Sequence, residues 1–121
     1  MSARRLAAGL LLVLLAGCQD KPAPAGVQGD AARGRVALAQ HACRACHMIP
    51  GITGPETYVG RPLVDLAEQR FIAGRLPNNQ ANLVRWIRDP QSIDPGTAMP
   101  AMGVSERDAL DMSAWLLAPE R

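Results

Sequence analysis

The chain is poor in aromatic residues and in the residues that most often bind metals. Its 121 residues include two Trp, one Tyr, one Phe, two His and three Cys. The formal net charge is only +2, and no run of Lys or Arg is interleaved with aromatic side chains, so we expect no nucleic-acid partner. Alternating β-branched stretches are almost absent, and the sequence therefore favours helices over strands.

Two of the three cysteines and one of the two histidines form a single motif. Cys43, Cys46 and His47 have C-x-x-C-H spacing, the attachment signature of a c-type haem. The thiols add to the vinyl groups and the histidine becomes an axial ligand of the iron, which predicts one covalent haem c. A thioredoxin-like pair is disfavoured because no β-branched run precedes Cys43. Only His41 and Cys18 remain to complete a zinc site, and a structural disulfide is the third alternative.

The N-terminus predicts export and lipidation. Two arginines precede an apolar run over residues 6–16, which has the form of a secretory signal and is too short to span a bilayer. The run ends in Leu-Ala-Gly-Cys, which resembles the lipobox of bacterial lipoproteins and makes Cys18 a lipid anchor. We expect a signal peptide over 1–17 and a Pro- and Gly-rich tether over 18–29, on the periplasmic side of a bacterial membrane. The alternative is a soluble signal with an incidental cysteine.

Residues 30–121 are predicted to form one all-α domain. Helix starts are indicated by side chains that can cap an N-terminus. These are Asp30, either Asn79 or Asn82, and Ser105. Four aromatic residues give a thin core for about 90 residues of globular chain, and a buried haem would supply the missing apolar mass.

The motifs of this domain stand in the order found in class I cytochromes c. The segments are GDAARGRVALAQHACRACH, VGRPL, FIAGRLPN, NLVRWIRDPQSIDPGTAMP and DALDMSAWLL. They most resemble the lipid-anchored or oxidase-associated bacterial type. The resemblance implies a small single-haem fold in which the first and last helices cross, with shorter helices and loops around the haem. It also implies His/Met ligation of the iron, with Met99 as the distal ligand and Met102 as its rival in the same loop.

The same resemblance implies roles for side chains around the haem. Leu63 is the apolar residue that touches the haem, and Trp86 lies near Met99. Thr97 and Arg75 are the candidate partners of the haem propionates. The ordinary alternatives are core packing for the tryptophan, turn polarity for the threonine and a solvent-facing arginine.

Two further details follow from the resemblance. A proline carbonyl in the family accepts the N–H of the axial histidine; Arg61 stands in that place here, and the carbonyl of Pro55 is the alternative acceptor. The first and last helices are expected to meet where glycine admits a large ring. That contact comprises Gly34, Leu38, Met112 and Trp115.

Iron with both axial positions filled has little room for a substrate, so the sequence predicts electron transfer and no enzymatic activity. The expected function is a membrane-tethered electron carrier, with a donor complex and a terminal oxidase or reductase docking briefly at the haem edge. One alternative is a fixed haem-bearing subunit of a larger respiratory complex. The other is a haem peroxidase, for which the only spare histidine, His41, lies on the wrong side of the haem.

Overall fold

The computed structural model describes residues 24–119, and within that range the fold is built mainly from three α-helices. These are α1 (Ala31–Gln40), α2 (Gln80–Arg88) and α3 (Glu106–Leu116). Short 3₁₀ turns occur at Cys43–Ala45, Leu66–Glu68 and Pro90–Ser92. The predicted signal peptide, the lipidation at Cys18 and the first part of the predicted tether lie outside the described residues.

Each helix begins at a side-chain cap that the sequence indicates. The side-chain oxygens of Asp30, Asn79 and Ser105 each accept a hydrogen bond from the backbone N–H three residues later, at 3.0, 2.9 and 3.0 Å. Such caps satisfy backbone donors that have no partner within the helix. The three predicted helix starts are confirmed, and Asn79 rather than Asn82 caps α2.

Helices α1 and α3 pack together most closely at Gly34. A Cβ atom at this position would overlap the backbone carbonyl of Asp111, so the two main chains are in direct contact. The expectation that this glycine admits an aromatic ring is therefore wrong. The ring of Trp115 lies instead against Gly51, and its Nε1–H donates to the carbonyl of Pro50 at 3.2 Å.

The buried core lies among the three helices and the loops that join them. Its largest fully buried side chain is Met112 of α3. It is surrounded by aliphatic residues that include Leu38, Ile49, Ile72, Leu83 and Ile87. Among residues 24–119, no helix is long and apolar enough to cross a bilayer.

A short hairpin is an addition that the sequence analysis does not predict. Strands β1 (Phe71–Ile72) and β2 (Leu76–Pro77) pair antiparallel, with Ile72 opposite Leu76. Ala73 and Gly74 both have positive φ, at 50° and 67°, which reverses the chain tightly. Because Ile72 is buried, the hairpin is tied to the helical core.

The segment before α1 is fixed to the helices by polar contacts. The N–H of Gln28 donates to Oε1 of Gln80 at 2.8 Å, and Nε2 of Gln80 donates to Oγ of Ser113 at 2.8 Å. The N–H of Asp30 donates to Oδ1 of Asp111 at 2.7 Å. The chain is thus attached to α2 and α3 from Gln28 onward.

Asp111 is a buried carboxylate on α3 that also binds α1. Its Oδ2 accepts from Nε of Arg33 at 2.8 Å. Burial alone would raise the pKa of Asp111, but the hydrogen bonds from Arg33 and from the N–H of Asp30 outweigh it and lower the pKa below its ordinary value. Asp111 therefore holds α1 and α3 together as an anion at neutral pH.

Candidate functional site

The C-x-x-C-H motif lies in a tight turn directly after α1. Ala42 has a left-handed conformation, with φ of 53°, and ends the helix. The chain then forms the 3₁₀ turn Cys43–Ala45, and the N–H of His47 donates to the carbonyl of Cys43 at 3.0 Å. The turn therefore holds the first cysteine and the histidine in a fixed backbone relation.

The imidazole of His47 is oriented by a returning loop. Its Nδ1 lies 2.6 Å from the carbonyl oxygen of Arg61, and because a carbonyl can only accept, Nδ1 carries the proton in this bond. A Cβ atom on Gly60 would overlap the ring, so glycine lets the loop lie against the imidazole. This arrangement answers the question that the sequence left open, since the acceptor is Arg61 rather than Pro55.

Two backbone hydrogen bonds fix that loop beside the motif. The N–H of Gly60 donates to the carbonyl of Cys46 at 2.8 Å, and the N–H of Leu63 donates to the carbonyl of Met48 at 2.8 Å. A metal-ligating histidine typically donates one ring N–H to a carbonyl while the other ring nitrogen binds the metal. His47 fits the first half of this pattern, and its Nε2 is the ring nitrogen left without a proton.

Both cysteines of the motif are free thiols and half-buried. Burial raises the pKa of Cys43, with a smaller contribution of the same sign from Cys46. The thiol of Cys43 is therefore protonated at neutral pH in the free chain. A protonated thiol is a poor nucleophile, which disfavours thiol–disulfide catalysis.

Met99 lies in a loop whose backbone is held from both sides. Nε2 of Gln91 donates to the carbonyl of Met99 at 2.6 Å, and the N–H of Met99 donates to Oγ1 of Thr97 at 3.2 Å. Met99 is half-buried, whereas Met102 is 44% exposed. Met99 is therefore less exposed than its rival, and the hydroxyl of Thr97 accepts a hydrogen bond within the same loop.

The other predicted haem-environment residues have partners within the fold. Arg75 pairs with Asp94, with Nη2 3.3 Å from Oδ1. Trp86 and Leu63 are half-buried and pack against the core. For Trp86 this packing is the ordinary alternative to its predicted role near Met99.

Sequence reasoning gave no role to Arg44, the residue that follows the first cysteine. Its Nη1 donates to the carbonyl of His47 at 2.9 Å, and its Nη2 donates to the carbonyl of Gly54 at 2.8 Å. Its position inside the motif is the one signal that could have drawn attention to it. His41, expected to be a spectator, lies 3.7 Å from a carboxylate oxygen of Asp108 on α3.

With this geometry established, comparison with known proteins points to respiratory oxidases. No protein-family model matches the chain. It is 41% identical over 85 residues to cytochrome c oxidase subunit 2 of Alkalihalophilus pseudofirmus, which covers 69% of this chain and 24% of that protein. It is 37% identical over 65 residues to cytochrome c oxidase subunit 2 of Bacillus sp. (strain PS3), which covers 52% of this chain and 18% of that protein. The chain thus matches no more than about a quarter of the length of these relatives.

These findings correct the cofactor prediction. The motif predicts one haem c bound covalently through Cys43 and Cys46, whereas both relatives are named as an oxidase subunit 2 and neither name assigns a haem c. In the part of the chain that the structure describes, no three or more His, Cys, Asp or Glu side chains form a metal-binding group. The physical reason is that the motif identifies ligand atoms and not the group they hold, since thiols and imidazole are also ligands of copper. The covalent haem c is therefore withdrawn as an assigned cofactor.

A second correction concerns enzymatic activity. The sequence analysis predicts that the chain is not an enzyme, but both relatives are subunits of an oxidase, which is an enzyme complex. The prediction was drawn from the groups within one chain. Membership of a multi-subunit enzyme depends on contacts with other chains, and no motif within a single domain records it.

Proposed function

We propose that this chain is an electron-transfer domain of a bacterial respiratory chain, membrane-attached through Cys18, that delivers electrons to a terminal oxidase. The similarity to two oxidase subunits carries this proposal. The order of its class I cytochrome c motifs supports the electron-transfer role. A fixed subunit of the oxidase is the second candidate, and it is favoured by the same observation, because both relatives are subunits.

In this proposal His47 and Met99 would be ligands of the redox centre, and Cys43 and Cys46 would lie beside it. Thiol, thioether and imidazole are soft or borderline ligands that suit copper and iron, whose bound ions supply one-electron chemistry. The chain's own contribution is to hold the ligands still. The carbonyl of Arg61 fixes the imidazole ring, and this kind of support keeps ligand geometry unchanged between oxidation states.

The same contacts bear on the rate of transfer. A ligand that must rotate or shift when the electron arrives adds to the energy barrier. The backbone of Met99 is held by a donor on one side and an acceptor on the other, so the sulfur is carried on a well-defined loop. The fold therefore favours rapid exchange of single electrons with a donor and an oxidase that dock over a small interface.

The experiment that tests this proposal starts from the full chain purified from native membranes. Metal analysis and an absorption spectrum identify the redox centre, and co-purifying proteins are identified by mass spectrometry. We expect one redox centre per chain, an associated oxidase, and oxidation of the reduced chain when that oxidase turns over oxygen.

Two histidine variants provide a matched comparison. His47→Ala removes a proposed ligand, whereas His41→Ala removes a histidine whose Nε2 lies 3.7 Å from a carboxylate oxygen of Asp108. The first variant is expected to lose the redox centre and electron delivery, and the second to keep both. A full chain with no redox centre, or one that the oxidase cannot oxidise, would contradict the proposed function.

A further inference from the structure

Arg44 carries a positive charge into the interior of the candidate site. It is half-buried, and its Nε atom is fully enclosed without a hydrogen-bond partner among the described residues. Both terminal nitrogens donate to backbone carbonyls, one on His47 and one on Gly54. A Cβ atom on Gly54 would lie 2.9 Å from Nε, so glycine allows the loop to close over the guanidinium.

Within the part of the chain that the structure describes, no carboxylate neutralises this charge. The ion pairs among residues 24–119 involve four other arginines and one histidine, and no carboxylate pairs with Arg44. Placing a charge away from water costs free energy unless something compensates for it. Two neutral carbonyls compensate only in part. A chain that needed merely to join two loops could do so with a neutral donor, so the charge itself calls for a role.

We propose that Arg44 is a positioning residue that fixes the 51–54 loop to the backbone of His47 and raises the reduction potential of the centre that His47 binds. The inference rests on the proposed function. A fixed positive charge favours the reduced centre, which has gained one negative charge, over the oxidised one. Because the guanidinium is half-buried and its Nε is enclosed, salt screens this interaction less than it screens a pair of fully exposed charges.

The chain contains a close control in Arg35 of α1. Its Nε donates to the carbonyl of Gly51 at 2.9 Å, so it also binds a backbone carbonyl of the same loop. Arg35 is exposed, however, and among the described residues no hydrogen bond joins its side chain to His47. Replacing each arginine by glutamine removes one charge and one set of loop contacts, but only the Arg44 charge is half-buried and bonded to the backbone of His47.

The test measures the midpoint potential of the full chain with its native centre. Arg44→Gln is expected to raise the ratio of oxidised to reduced protein about tenfold at a fixed ambient potential, which is a fall of about 59 mV for one electron. Arg35→Gln is expected to change that ratio less than about twofold, and raising the salt concentration should leave the Arg44→Gln shift in place. Equal shifts in the two variants, or no shift in Arg44→Gln, would overturn the electrostatic role.

A second variant and a second readout separate charge from positioning. Arg44→Lys keeps the charge, so its midpoint potential should stay near that of the unaltered chain. It loses the planar fork that reaches both carbonyls, so the positioning of the loop should be impaired. Hydrogen exchange at the amide of Ile52, which donates to Ile49 within the loop, should be faster in both Arg44 variants than in Arg35→Gln. An unchanged exchange rate at Ile52 would refute the positioning role, and this measurement does not require a bound redox centre. Absence of a redox centre from the purified full chain would refute the proposed function instead.

Discussion

Replacing Gly34 by alanine is expected to force α1 away from α3. The new methyl group would meet the carbonyl carbon and oxygen of Asp111 and the N–H of Met112, all of which are backbone atoms of a helix. No side-chain rotation can relieve this overlap. The two helices must therefore separate along their contact, and Leu38 and Met112, which are 2% and 0% exposed, would lose part of their packing.

The magnitude follows from three effects. Alanine is favoured over glycine within a helix by about 1 kcal/mol, which alone would stabilise the variant. Overpacking in a filled interior costs about 1 to 3 kcal/mol, and a backbone obstacle places this site at the upper end of that range or beyond it. Partial exposure of two large aliphatic side chains adds roughly 1 to 2 kcal/mol. The net expectation is a loss of about 2 to 4 kcal/mol.

Equilibrium unfolding in urea, followed by far-ultraviolet circular dichroism, measures this loss. Gly96→Ala is the matched control, because the only atom near its Cβ is a side-chain oxygen of Asp94 at 3.6 Å and its φ is not positive. The control should lie within about 0.5 kcal/mol of the unaltered chain. A Gly34→Ala variant as stable as the control would refute the backbone contact between α1 and α3.

Three other predictions concern single contacts. The pKa of Asp111 is lowered in the folded state, so the ionised carboxylate stabilises the fold above the unfolded pKa of about 3.9, and this stabilisation disappears as the pH falls through the lower folded value. Asp111→Asn should therefore lower the urea midpoint at pH 7 and lower it much less at pH 2. An equal loss at both pH values would contradict the lowered pKa. Gly60→Ala should displace the loop from the ring of His47 and perturb the absorption spectrum of the bound centre, whereas an unchanged spectrum would rule out the close approach. Met99→Ala should remove the sulfur-to-metal absorption band of the oxidised protein and Met102→Ala should retain it, and the reverse pattern would assign the ligand to Met102.

Local signals in the sequence predicted the helix starts correctly. Asp30 and Ser105 cap their helices because a short polar side chain can reach an N–H three residues ahead whatever surrounds it. The hairpin was missed because its turn depends on Ala73 at positive φ, a conformation that alanine rarely adopts and that no sequence pattern indicates. The contact at Gly34 was assigned to the wrong partner, because a glycine in a sequence indicates a close approach but not which group approaches. Here the group is the backbone of Asp111 and not an aromatic ring.

The candidate site shows the same division between local and distant information. The spacing of Cys43, Cys46 and His47 predicts candidate ligand atoms within a short stretch of chain. Which carbonyl orients the histidine depends on where a later loop returns, and the sequence offered two acceptors with no means of choosing. The spacing does not identify the bound group, because several metals share these ligand types. The similarity to an oxidase subunit is the observation that bears on this choice.

The loop beside His47 also explains why arginine can stand where the resemblance implies proline. Only the carbonyl of Arg61 contacts the imidazole, and every residue type has that group. The loop is held on either side of it by the N–H groups of Gly60 and Leu63, so its position does not depend on the rigidity of a proline ring. The side chain of Arg61 points to an exposed ion pair with Asp65, a contact of little energetic weight. What the site requires at Arg61 is therefore a backbone carbonyl in the right place, and at Gly60 it requires the absence of a side chain.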